Sequence, residues 1–199
     1  MHFTLRPDLT HTVQACGWLA LAGGVLFWAV NGASPQLEAG ALSSRFAPVS
    51  LRQAVERVLR AYEPLAEEQR LRIRTAFPAT DLQVNGLAEL LVELLGNLLD
   101  NAVRHTPAGG TIQIDVAELP GGDAVVAVVD GGPGIPKEFA QAIFERFVQV
   151  PGSRTGTTGL GLPLAAEIAR LHGGKLELAN PGQPGARFEC RLPRARAIG

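Results

Sequence analysis

The stretch from Leu87 to His105 most constrains what this chain can become. Leu90, Leu91, Leu94, Leu95, Leu98 and Leu99 give it the pattern of a largely buried helix. One polar stripe interrupts that surface. Glu93, Asn97, Asn101 and His105 recur every fourth residue, so on a helix they share roughly one face. Amides in apolar surroundings cost folding free energy unless something polar lies against them. The partner is either neighbouring backbone or a ligand.

Around this helix the chain alternates its periodicity. Leu51 to Gln69 carries a helical stripe at Leu51, Ala54, Val55, Val58, Leu59, Tyr62 and Leu65. Arg70 to Phe77 alternates arginines with Leu71, Ile73, Thr75 and Phe77, the pattern of a strand with one wet face. Two further strands are expected near Thr111–Glu118 and Ala124–Asp130, joined by the turn Leu119-Pro120-Gly121-Gly122-Asp123. A short helix near Lys137–Ile143, a helix near Leu160–His172 and strands near Lys175–Leu178 and Ala186–Leu192 complete the reading. Without regular β-α-β alternation, the class is α+β, one sheet with helices on one face.

The first 33 residues differ. Val13 to Val30 holds eighteen residues without a charge, with Trp18 and Trp28 near its ends. That fits the short end of a membrane span; a buried amphiphile or a mis-started reading frame fits the same composition. A signal peptide fits poorly, because Arg6 is offset by Asp8 and no small-residue cleavage site follows. Residues 34–50 are small, polar and proline-punctuated, as in a linker. The domain proper is expected over 51–195. With 18 basic and 19 acidic residues, no global field points to nucleic acid or an anionic surface. Cys16 and Cys190 form no metal-ligand spacing, and a reducing compartment suits them.

Two glycine segments accompany the stripe. Asp130-Gly131-Gly132-Pro133-Gly134-Ile135 follows an apolar strand, where a carboxylate can accept from an exocyclic amine while bare backbone approaches a flat ring. Gly156-Thr157-Thr158-Gly159-Leu160-Gly161-Leu162 runs into a helix, and backbone N–H groups at such a start attract anions. Each is also compatible with an ordinary turn. No Gly-Lys-Ser/Thr follows, which excludes a Walker-type loop.

In this order and spacing the segments resemble the ATP-binding domain of sensor histidine kinases, within the ATPase superfamily shared with gyrases and chaperones. Asn97-Leu98-Leu99-Asp100-Asn101-Ala102 is similar to the family's N box and Asp130–Ile135 to its first glycine box. Ile143-Phe144-Glu145-Arg146-Phe147 is similar to its F box, and Gly156–Leu162 to its second glycine box. The resemblance covers about Leu37 to Pro193. It implies the Bergerat fold, a two-layer α/β sandwich with a mixed sheet of about five strands and about three helices on one face.

By that resemblance Asn101 would hold magnesium and Asn97 would line the phosphate site of ATP. Arg104 and His105 would reach the phosphates, with Asn97 and Arg104 the residues nearest to the chemistry. Asp130 would take the adenine amino group. Gly132 and Gly134 would admit the base, and Ile135 would pack on it. Thr158, Gly159, Gly161 and the N–H of Leu160 would bind phosphate, with Leu162 closing the box. Val148 to Thr158 would form a lid anchored by Phe144 and Phe147, for which a core role is the alternative. Gly131 stands where the family often has Asn, and Thr157 where it often has Gly.

Asn97 also bears on the reaction. Hydrolytic relatives carry a glutamate four residues before the magnesium Asn, and an amide cannot serve as that base. Rapid ATP hydrolysis is therefore not expected. The family also needs an acceptor histidine on a two-helix dimerisation hairpin. Leu37-Glu38-Ala39-Gly40 resembles the end of that hairpin, but 36 residues precede it where roughly 60 are needed. His2 has Pro7 five residues on but lacks the adjacent acid, and His11 has no such proline. The expectation is an ATP-binding module whose acceptor hairpin is lost, replaced or left out. It would present the γ-phosphoryl of Mg-ATP to a histidine supplied in trans, with a response regulator downstream, in the cytoplasm and anchored to the inner membrane if 13–30 spans it. Alternatives are a non-catalytic nucleotide-binding regulator of another kinase and an anti-sigma-type serine kinase. The linker-like Leu37–Gly40 and the absence of glutamate at Asn97 argue against the latter.

Overall fold

Ser50 opens the first helix: its hydroxyl accepts the Gln53 N–H at 3.1 Å, a capping bond, and donates to Asp81 Oδ1 at 2.9 Å. The structure is a computed structural model describing residues 45–151 and 158–195. The apolar segment 13–30, His2, His11, Leu37–Gly40, Cys16 and positions 152–157 of the expected lid lie outside the described residues.

Helix α1 spans Leu51–Glu68 and buries Leu51, Ala54, Val55, Val58 and Ala66. Arg70, with φ 56°, takes the left-handed conformation as the chain leaves it. Helix α2, Ala88–His105, buries all six leucines together with Val92, Ala102 and Val103. It can bury so much surface because α1, the third helix α3 (Gly161–Leu171) and the sheet all pack against it. Each residue of the polar stripe is half-buried. The stripe thus runs along a margin of the core rather than through it.

Among the described residues, seven strands form two sheets. β2 (Arg72–Ala76), β4 (Thr111–Glu118), β5 (Ala124–Val129), β6 (Lys175–Leu178) and β7 (Arg187–Leu192) make a mixed sheet in the order β2-β4-β5-β7-β6. Only the β2–β4 pairing is parallel. Register places Ile114 beside Val128 and Val126 beside Cys190, so alternate residues form one apolar face. The opposite face carries Asp115, Arg187, Glu189, Arg191 and Glu177 in a ladder of partly exposed ion pairs. Such pairs contribute little individually. This is the expected α+β architecture.

Two features differ from the expectation. β1 (Ala47–Ser50), at the end of the stretch read as a linker, pairs antiparallel with β3 (Gln83–Gly86). Four-residue strands containing proline or Asn-Gly lack the alternation that reveals longer ones. Arg194 bridges to Val84, and Ala195 N–H donates to the Gln83 carbonyl at 2.8 Å, so the segment after β7 joins the same small sheet. The helix expected near Lys137–Ile143 is instead two 3-10 turns, Lys137–Phe139 and Ala142–Phe144. Each closes only a local i to i+3 bond, and neither start has a side-chain cap.

Candidate functional site

Helix α2 is the spine of the site. The Asn97 carboxamide is oriented by its own helix: Nδ2 donates to the Glu93 carbonyl at 2.9 Å. Its Oδ1 then faces Gly161, where a Cβ would stand only 3.0 Å away. The stripe thereby meets the start of α3, and glycine is what lets them close. Asn101, one turn on, is half-buried and its carboxamide has no hydrogen-bond partner among the described residues. The Arg104 guanidinium meets the Asp100 carboxylate at 2.6 Å in an exposed pair. Behind this wall Tyr62 donates to the Gly96 carbonyl at 3.2 Å, and burial, aided by Asp100, pushes its phenol up to about 12. The Glu93 carboxyl is likewise raised by burial.

The second glycine segment meets α2 through α3. Leu160, at the N-cap position, has no side chain that can accept, so the first-turn N–H groups of Gly161 and Leu162 lack a side-chain cap. Pro163 follows, where a missing N–H costs nothing. Gly159 has φ +65° and its carbonyl accepts the Phe147 N–H at 3.0 Å. Exposed Thr158 precedes it. Phe147 itself is left-handed (φ 66°) and 73% exposed, so the core role weighed as the alternative does not hold for it. Phe144 is the packing ring, edge-on to buried Phe188 at 6.3 Å.

The first glycine segment lies at the other end of α2. A Cβ on Gly132 would stand 2.8 Å from the His105 carbonyl oxygen, and one on Gly134 (φ +82°) would collide with the Gln183 carbonyl. Asp130 is buried. Its Oδ1 accepts from Gly132 N–H at 2.8 Å and Ala186 N–H at 3.1 Å, while Oδ2 has no partner among the described residues. Burial raises its carboxyl above the ordinary range, against the pull of those two N–H groups and of His105. Ile135 is half-buried, and its carbonyl accepts the Gly182 N–H at 2.7 Å.

The sequence reading missed two contributors here. Fully buried Thr106 accepts the Gly131 N–H at 3.1 Å, tying the end of α2 to this segment. The β6–β7 connection also presses on it through Gly182 and Gly185. Its only signal in the sequence is the repeated Pro-Gly of Asn180–Gly185, which reads as a turn.

Asn97 and His105 are eight residues apart, about 12 Å along a helix. The second glycine segment approaches the first of these positions and the first glycine segment the second. No cluster of three or more His, Cys, Asp or Glu could hold a metal among the described residues. The unpartnered Asn101 oxygen does suit a magnesium ion bound chiefly through phosphates and waters.

Residues 86–196, more than half of the chain, match the family model described as histidine kinase-, DNA gyrase B-, and HSP90-like ATPase. Hybrid signal transduction histidine kinase D of Dictyostelium discoideum is 36% identical over 167 residues, covering 79% of this chain and 11% of that protein. Sensor protein kinase PmrB of Pseudomonas aeruginosa is 38% identical over 158 residues, covering 79% of this chain and 32% of that one. The chain thus spans about a tenth to a third of the length of these relatives. Full-length ShkA, solved in complex with AMPPNP, superposes with a TM-score of 0.72 at 28% identity, over 99% of this chain and 41% of that one. Fold, site geometry and these likenesses agree: the chain belongs to the histidine kinase-, gyrase- and HSP90-like ATPase family and carries the ATP-binding catalytic domain of a sensor histidine kinase.

Proposed function

We propose that this chain binds Mg-ATP along α2 and presents its γ-phosphoryl group to a histidine on an acceptor hairpin, in trans or on an adjoining segment. A response regulator would then take the phosphoryl group. The observation that carries this reading is the Asn97–Gly161 approach, which brings the amide stripe against an uncapped helix start. In this reading Asp130 Oδ2 accepts the adenine amino group, with Gly132, Gly134 and Ile135 along the base. Asn97, Arg104, His105, Thr158, Gly159, Leu160, Gly161 and Leu162 surround the phosphates, and Asn101 is the protein ligand of magnesium. Bound there, magnesium supplies charge neutralisation. The chain's own groups orient the nucleotide, and catalysis rests on positioning and electrostatics. Exposed Phe147 borders the phosphate end of the site.

Asn97 supplies no base for water, so transfer to a histidine is favoured over hydrolysis. We further assign 45–195 to the ATP-binding domain, because β1 belongs to its small sheet, 34–44 to a linker from the hairpin and 1–33 to an apolar segment that anchors the domain at the cytoplasmic face of the inner membrane. Among the described residues no helix is long and apolar enough to cross a membrane.

The test mixes the purified chain with an isolated acceptor hairpin and γ-labelled ATP. Acid-labile, base-stable label on the hairpin is the expected result. Tight ATP binding without transfer would point to a nucleotide-binding regulator instead, and acid-stable label to a serine kinase.

A further inference from the structure

Asn180 sits in the β6–β7 connection, and both ends of its carboxamide are engaged. Nδ2 donates to the Gly185 carbonyl at 2.6 Å, and Oδ1 accepts the Arg187 backbone N–H at 2.7 Å. Gly185 and Arg187 flank Ala186. That residue holds Asp130 twice: its N–H donates to Oδ1 at 3.1 Å, and its carbonyl accepts the Asp130 backbone N–H at 3.0 Å. One side chain therefore clamps both neighbours of the residue that aims the Asp130 carboxylate.

The same turn is bonded to the first glycine segment. Gly185 N–H donates to the Gly132 carbonyl at 2.8 Å and Gly182 N–H to that of Ile135 at 2.7 Å. Gly185, at φ +72°, lies so close that a Cβ would stand 2.6 Å from the Asp130 carbonyl oxygen. A connection that only had to reverse the chain would be served by its two Pro-Gly pairs. The Asn180 bonds add definition to one place, the backbone against Asp130 and Gly132. With Oδ1 held by two N–H groups, the carboxylate cannot turn freely, and Oδ2 is the oxygen left without a partner among the described residues.

We infer that Asn180 is a positioning residue for base recognition: it fixes the β6–β7 turn against the first glycine segment so that Asp130 Oδ2 meets a 6-amino purine. The inference rests on the nucleotide-binding reading proposed above. It predicts an effect on discrimination between bases, which a role in stability alone would not produce. Loss of the clamp loosens the carboxylate, and the nucleotide that depends on it weakens selectively.

The experiment titrates the full chain and its variants with Mg-ATP and with Mg-ITP, whose base carries a 6-oxo group instead of the amine. Wild type should prefer ATP by about tenfold or more, the scale of one hydrogen bond to a charged group. Asn180→Ala should lower that preference about fivefold, mainly by weakening ATP. Asn180→Ser, whose hydroxyl can both donate and accept, should retain more of it, and it carries the test if the alanine variant does not fold. Equal weakening of both nucleotides, or an unchanged preference in the folded variants, overturns the inference while leaving nucleotide binding intact. Wild type binding both nucleotides equally also overturns it. Wild type binding neither overturns the underlying reading as well.

Discussion

His172 Nε2 accepts the backbone N–H of Leu87 at 3.2 Å, joining the end of α3 to the start of α2 across 85 positions of sequence. Leu87 is the N-cap residue of α2 and has no side-chain capping bond, so the imidazole serves in its place. Nδ1 lies 2.8 Å from the Ile168 carbonyl, which fixes the proton on Nδ1 and leaves Nε2 as acceptor. Phe46 stacks on the ring with centroids 4.9 Å apart, and a Cβ on Gly86 would stand 2.6 Å from Nε2. The two helices that meet where Gly161 approaches Asn97 are therefore locked at their far ends by one buried neutral histidine.

Burial lowers the His172 pKa from its ordinary 6.5, outweighing the Ile168 bond. The unfolded chain then binds the proton more readily than the folded one, so stability is complete above about 6.5 and falls as pH drops through that value towards the lower folded pKa. Urea denaturation at pH 7.5 and pH 5.5 should show this loss. His172→Ala should remove the pH dependence assigned to this group and cost about 3 kcal/mol, from a lost ring and an orphaned half-buried N–H.

Asn101→Ala should weaken ATP binding more than about tenfold in the presence of magnesium and leave the residual binding insensitive to the metal. Calorimetric titration with magnesium and with a chelator measures both. Unchanged magnesium-dependent affinity would remove Asn101 from the metal site.

Asp130→Asn should reverse base preference, because the carboxamide can present a donor where the carboxylate only accepts. ATP should weaken by about tenfold or more, while ITP, with an acceptor at that position, should hold or gain. Competition between the two nucleotides reads the change directly; a variant that still favours ATP as wild type does would rule out Asp130 as the amine acceptor.

Two glycines should respond in opposite directions. Gly96 lies inside α2 with open space where a Cβ would go, so Gly96→Ala should stabilise by about 0.5–1 kcal/mol. Gly134→Ala adds a Cβ at φ +82° against the Gln183 carbonyl and should cost about 3 kcal/mol. Thermal melts of the pair test the assigned geometry.

The two F-box rings should also separate. Phe144→Ala should cost about 3 kcal/mol through lost packing on Phe188, whereas Phe147→Ala should change stability by less than about 0.5 kcal/mol. Comparable losses would mean that Phe147 packs in the core after all.

By itself, the sequence determined most of the elements and the three segments that matter. A four-residue recurrence on a leucine-rich helix, an aspartate ahead of glycines and a glycine-rich run into a helix are local patterns, legible because each follows from the geometry of a single element. Tertiary structure alone decided what depends on distant backbone. Sequence spacing cannot place His172 on Leu87, Thr106 on Gly131 or Asn180 behind Asp130, because those bonds form only once α2, α3 and the β6–β7 turn have packed. The small sheet of β1 and β3 stayed hidden for a related reason: its strands are too short to carry a period of their own. Phe147 is the complementary case. Its residue type left a core role open beside lid anchoring, and the left-handed backbone held at Gly159 carries the ring out into solvent.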